Sequence, residues 1–297
     1  CGPDLATKLN NSRIGRTYDF TRLRDLLFIN FEHPTAFAGV SEDSRDALKD
    51  QLQTRVKSGQ AIDWDLLEPV LRMPHQADVY QPPENEHGTH VAGIIAGNWK
   101  KDKDNDLTAD LIGMCPDLQL YGVRVFDQDG AGDEFTVLAA LQFIRHINQH
   151  RDSAVIQGVN LSFSLKHSVE SFACGSTPVC EECDRLVAAG VVVVAAAGNL
   201  GFDKTANQGF GSFHPITITD PGNAEEVITV GATHRQMPHK YGVSYFSSRG
   251  PTGDGRLKPD LLAPGEKITS STPHNSKATL DGTSMAAPHV SGAAALL

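Results

Sequence analysis

With 297 residues, 40% of them hydrophobic, the chain can bury a large core, and it reads as one domain spanning 1–297. A net charge of −10 with no basic block argues against a nucleic-acid partner, and no stretch approaches the roughly 18 apolar residues of a membrane span. The chain opens at Cys1 and closes at Leu297 inside a predicted helix, with no start methionine or leader, so it reads as a piece truncated at both ends.

The first 83 residues carry little chemistry. Residues 16–20 and 26–31 read as short strands. Residues 44–57, with Ala47, Leu48, Leu52 and Val56 among charges, have helical spacing with one wet face. Residues 62–73 form a second, shorter helix closed by Pro74. A further helix over 87–98 opens at His87, in Glu86-His87-Gly88-Thr89-His90. The loop after it places Asp102, Asp104 and Asp106 at alternate positions, where their oxygens either ring a calcium ion or face solvent.

Strands are expected over 118–126, 155–163, 191–197, 227–233 and 243–247, with helices over 133–149 and 184–189. Apolar strands alternating with helices argue an α/β fold, a mostly parallel central sheet with helices on both faces. The five cysteines are an odd number. Cys174, Cys180 and Cys183 stand as C-x5-C-x2-C, which leaves three options open. These are a Cys174–Cys180 or Cys174–Cys183 disulfide, a zinc site needing a fourth ligand such as His167, or free thiols.

Three segments carry the chemistry. In Leu280-Asp281-Gly282-Thr283-Ser284-Met285-Ala286-Ala287-Pro288-His289 a serine follows a glycine turn and enters a small, apolar helix, with Pro288 expected near the helix start. There Ser284 lies at the positive end of the helix dipole. It is either an N-cap or a nucleophile. A nucleophilic serine needs a base and an oxyanion donor, and His87 and Asn199, which ends the run Val191 to Gly198, supply one each.

In this order the three segments resemble the His, Asn and Ser motifs of the subtilisin-like serine proteases, and Ser247-Ser248-Arg249-Gly250-Pro251 and Lys258-Pro259-Asp260 extend the similarity over roughly residues 84–297. The resemblance implies a serine endopeptidase with Ser284 as nucleophile, His87 as general base and Asn199 in the oxyanion hole, while His90 packs as a hydrogen-bonded histidine. It implies protein or peptide substrates and no required cofactor, with calcium only as a structural ion, and it favours a secreted or cell-envelope setting. It places substrate backbone along Ser162, Phe163 and Ser164, where the family usually shows Ser-Leu-Gly, so the side chain at 164 crowds that edge. Residues 19–83 then read as an insertion.

The family's triad aspartate ends a buried strand and precedes Ser or Thr and then Gly. No such tripeptide occurs here, and Gly2-Pro3-Asp4-Leu5 resembles sequence lying just after it. The aspartate and its strand are therefore expected upstream of Cys1. A catalytically silent binding module, and a peptide ligase or cyclase using the same acyl-enzyme, are the alternative functions.

Overall fold

A computed structural model describes residues 13–28, 42–73, 83–100, 110–149, 154–166 and 168–297. Strand β1 (Ile14–Asp19) leads into helix α1 (Leu23–Phe28), followed by α2 (Glu42–Lys57), α3 (Trp64–Leu71) and the short strand β2 (Arg72–Met73). The strand expected from residue 26 is instead helical as far as it is described. Leu23, Leu26 and Leu27 are all buried, a three-and-four spacing that puts them on one helical face. A short apolar run does not distinguish the two periods by itself.

Then come α4 (His87–Ala96), β3 (Leu120–Arg124), α5 (Glu134–Gln149), β4 (Gly158–Leu161), α6 (Pro178–Ala188) and β5 (Val192–Ala196). A small hairpin, β6 (Phe202–Asp203) with β7 (Ser212–Phe213), precedes β8 (Ile228–Thr233) and β9 (Leu261–Pro264). The hairpin of β10 (Ile268–Thr272) and β11 (Ser276–Leu280) leads into α7 (Thr283–Ala294). Residues 243–247 do not form the expected strand. Val243 makes one isolated bridge to Thr233 before the chain turns.

Four parallel strands form one block in the order β9-β8-β5-β4, and β2-β1-β3 form another, in which β1 runs parallel to β3 and antiparallel to β2. The α/β architecture has helices on both faces, and the period-two alternation of β5 shows why. Val193 and Ala195 face the core shared with α5 and α6, whereas Val194 and Ala196 face Ala286 and Ala287 of α7. The small residues on the α7 side let the helix lie close to the sheet.

The first core also holds Tyr18 of β1 and Trp64 of α3. Their rings pack on Phe143 of α5, with centroids 4.8 and 5.6 Å apart. The two blocks thus share a core, yet among the described residues β3 and β4 are each paired on one side only. Every residue of β3 is half-buried, although the strand lies within that shared core.

The cysteines correct one expectation. Cys115, Cys174, Cys180 and Cys183 are free thiols, so neither the Cys174–Cys180 nor the Cys174–Cys183 disulfide is formed. Helix α6 starts at Pro178, capped by Thr177, rather than near Asp184. The earlier start turns Cys180 and Cys183 inward, where burial pushes both thiols above their usual range and leaves them inert. His167 lies outside the described residues. Among those described, no group of three or more His, Cys, Asp or Glu side chains could hold a metal ion, and no helix is long and apolar enough to cross a membrane.

Candidate active site

Helix α7 begins at Thr283, which places Ser284 in its first turn and Pro288 inside the helix rather than at its start. An interior proline has no N–H to give to the carbonyl four residues back, here that of Ser284. The hydroxyl of Ser162 replaces it, donating to Ser284 O at 2.8 Å. Asn160 donates to Ser162 Oγ at 2.9 Å and accepts from Ser291 Oγ at 2.8 Å, so the end of β4 is stitched to α7 on both sides of the proline.

Ser162 is therefore buried and its hydroxyl is committed to the helix. Phe163 is half-buried, with its ring 5.3 Å from that of Phe126. Ser164 is exposed and accepts a hydrogen bond from Thr219 Oγ1 at 2.8 Å. Replacing Ser162 with Ala is expected to leave the Ser284 carbonyl unsatisfied and to cost about 1–3 kcal/mol of stability, read from denaturant midpoints. An unchanged midpoint would show that the helix tolerates the proline without this bond.

Asn199 leaves β5 through Gly198. Its Oδ1 accepts from the backbone N–H of Thr283 at 2.9 Å and from the Thr283 hydroxyl at 3.1 Å, while Thr283 Oγ1 accepts from Gly198 N at 3.1 Å. Two donors on Oδ1 settle the amide orientation and turn Nδ2 the other way. A Cβ placed on Gly282 would lie 3.4 Å from Asn199 Nδ2 and 3.7 Å from Ser284 N. The two donors thus flank one small space beside the serine, and glycine leaves it open. Thr283 and Gly282 were not singled out by sequence, because the Gly-Thr-Ser step reads as an ordinary helix start until the partner 84 residues away is known.

His87 opens α4, with its backbone N–H bonded to Asn85 Oδ1 at 3.0 Å. Helix α4 packs on α7, and Met285, next to Ser284, shares a cluster with Val91, Ile94 and Ile95. His90 is fully buried, its Nε2 3.1 Å from Ile268 O and 3.2 Å from Ala278 O in the β10–β11 hairpin. It has the packed role expected of it. Among the described residues, no hydrogen bond reaches the His87 ring or the Ser284 hydroxyl.

Burial lowers the His87 pKa from 6.5, and the nearby His90 lowers it further. Among the described residues no carboxylate contributes. The folded chain consequently binds fewer protons than the unfolded chain as pH falls through 6.5, so this residue subtracts stability there and stays a neutral base to lower pH. NMR titration of the His87 ring should give a pKa below 6.5 in this chain. A value above 6.5 would reveal a carboxylate beside it.

Asp19 closes β1 ahead of His87. Its side chain is occupied elsewhere, accepting from Thr21 N at 3.1 Å and pairing with Arg22 Nε at 3.4 Å. Its strand lies between β2 and β3. Asp102, Asp104 and Asp106 lie outside the described residues.

A parallel sheet between two helix layers, with a serine, a paired set of N–H donors and a histidine offered from three separate elements, defines the subtilisin-like α/β class. The chain belongs to the subtilase family, peptidase S8, whose profile matches residues 71–297. It is 32% identical to subtilisin DY of Bacillus licheniformis over 218 residues, covering 73% of this chain and 65% of that protein. It is also 32% identical to serine protease AprX of Bacillus subtilis (strain 168) over 234 residues, covering 72% of this chain and 48% of AprX. The chain thus spans less than two thirds of either relative. Among solved structures, a cold adapted subtilisin-like serine proteinase matches with a TM-score of 0.52 and 27% identity, over 74% of this chain and 63% of that one.

Proposed function

We propose that this chain carries most of the active site of a serine endopeptidase acting on proteins or peptides. Ser284 attacks the scissile carbonyl and His87 takes the serine proton and passes it to the leaving amine. Asn199 Nδ2 and Ser284 N hold the oxyanion, and water then releases the acyl-enzyme. The observation that carries this reading is the convergence of those two donors on one space beside Ser284. Substrate backbone pairs along Phe163 and Ser164, with Ser162 as the buried support beneath them.

The carboxylate that orients His87 belongs, in this proposal, to a strand encoded upstream of Cys1 and inserted between β3 and β4. Both of those strands have a free edge among the described residues, and burial and His90 account for the shift of His87 without any acid. Residues 19–83 are taken as an insertion, with the family match beginning inside its last part, at residue 71. The chemistry needs no cofactor. A calcium ion at Asp102, Asp104 and Asp106, and a secreted or cell-envelope setting, go with this reading.

A fluorophosphonate probe, which reports an activated serine, tests the proposal when followed by mapping of the labelled residue. Product mass then separates hydrolysis, which adds a water, from ligation or cyclisation.

A further inference from the structure

Past β4 and β5, the two stretches of chain that flank Ser284 are joined through a third segment. On the β4 side Ser162 Oγ reaches Ser284 O at 2.8 Å, and on the β5 side Asn199 Nδ2 and Ser284 N flank the space beside Gly282. Ser164 stands two residues past Ser162, and Gly198 one residue before Asn199. Thr219 touches both. Its hydroxyl donates to Ser164 Oγ at 2.8 Å and its backbone N–H to Ala197 O at 3.1 Å. A Cβ on Gly198 would lie 2.7 Å from Thr219 Oγ1 and 3.1 Å from Thr219 Cγ2, so the Thr219 side chain fills the room over Gly198.

The backbone that carries Thr219 is pinned from behind. Leu165 N, next to Ser164, donates to Asp220 O at 2.8 Å. The buried Asp220 carboxylate accepts from Thr177 Oγ1 at 2.7 Å and from Asn223 Nδ2 at 2.8 Å, which commits its charge behind the bridge. Successive side chains of the β4 edge diverge, with the Phe163 ring packed on Phe126 and Ser164 turned to Thr219.

The inference rests on the endopeptidase reading above and gives it a substrate preference. In that reading the attacked carbonyl sits between Asn199 and Ser284, and its own chain runs along Phe163 and Ser164. The side chain of the residue that carries this carbonyl then enters the gap between Ser164 and Gly198. The geometry points to Thr219, hydrogen-bonded to Ser164 across that gap, as the residue that restricts it to a small side chain such as Ala and excludes Phe or Lys. Selection is by size, because a large side chain would have to displace a hydroxyl and a methyl whose backbone is held in place.

The test uses the full reading frame and peptidyl-coumarin amides that differ only in the residue before the scissile bond. Ala is expected to exceed Phe and Lys by about ten-fold or more in kcat/KM. Thr219→Gly, which removes the hydroxyl and the methyl, should bring Phe level with Ala. Thr219→Val, which keeps the bulk and loses the bond to Ser164, should keep the preference for Ala. Ser164→Gly opens the gap from its other wall and should also raise the Phe-to-Ala ratio. A merely structural role would lower both substrates alike, and the ratio within each variant cancels any loss of overall turnover. Circular dichroism verifies that each variant is folded.

Phe or Lys cleaved as fast as Ala by the unaltered protein overturns the restricted gap and leaves the endopeptidase standing. A Phe-to-Ala ratio unchanged in folded Thr219→Gly and Ser164→Gly does the same, and loss of the preference in Thr219→Val overturns exclusion by size. Hydrolysis of none of the amides overturns the endopeptidase reading, and the restricted gap with it.

Discussion

Supplying the upstream strand is expected to raise peptide hydrolysis about 10,000-fold over that of residues 1–297 alone, by analogy with removal of the aspartate from another serine-protease triad. The reason lies in what His87 lacks. Burial disfavours the charged form of its ring, which suits a base, but among the described residues no hydrogen bond fixes its tautomer or turns it toward Ser284, and no negative charge balances the imidazolium that forms on proton transfer. A carboxylate ending a strand between β3 and β4 would provide both, and would raise the His87 pKa.

The same strand would pair the edges of β3 and β4 that are unpaired among the described residues and cover the half-buried face of β3, so thermal stability should rise together with turnover. Casein hydrolysis and thermal melts of the two chain lengths measure both effects. Equal rates would mean that an acid within these 297 residues serves His87, with Asp19 the first to examine.

The second large effect is expected at the oxyanion space. Gly282→Ala places a methyl between Asn199 Nδ2 and Ser284 N, and Asn199→Ala removes one donor; either should lower kcat by about 100- to 1,000-fold. KM should change little, because the oxyanion forms only as the carbonyl becomes tetrahedral. The two variants differ in stability. Asn199→Ala strips the acceptor from the buried Thr283 N–H and hydroxyl, at a cost of about 1–3 kcal/mol, whereas Gly282→Ala keeps that acceptor and instead strains a backbone at φ 156°, which L side chains rarely adopt. A raised KM with unchanged kcat in Gly282→Ala would show that the space binds ground-state substrate instead.

Much of this site was legible in sequence because its parts are local patterns. The run Val191–Ala197 reads as a buried strand, Asn199 follows at its end, and a glycine turn before small residues announces the helix that carries Ser284. The placement of β1 and the helical spacing of residues 44–57 were equally local. What stayed hidden depends on partners far along the chain. The interior position of Pro288 makes sense only with the hydroxyl of Ser162, 122 residues from the carbonyl it serves, and Thr283 acquires its role from Asn199.

Helix α1 was misread because five or six apolar residues fit either period. Of the options left open for the cysteines, free thiols hold among those described; the disulfide was entertained because the start of α6 was placed too late, and the six residues 178–183 added to the helix turn loop thiols into core side chains. The upstream carboxylate was read from the absence of a tripeptide, and its place between β3 and β4 remains a proposal that rests on edges unpaired among the described residues.

Labelling by a fluorophosphonate probe, on this chain and on the full reading frame side by side with Ser284→Ala as control, tests the proposed site most directly. The expected result is label on Ser284 in the longer form only, lost in Ser284→Ala. Label on Ser284 in both would contradict the upstream carboxylate, and label in neither, with both folded by circular dichroism, would contradict the endopeptidase and favour a silent binding module.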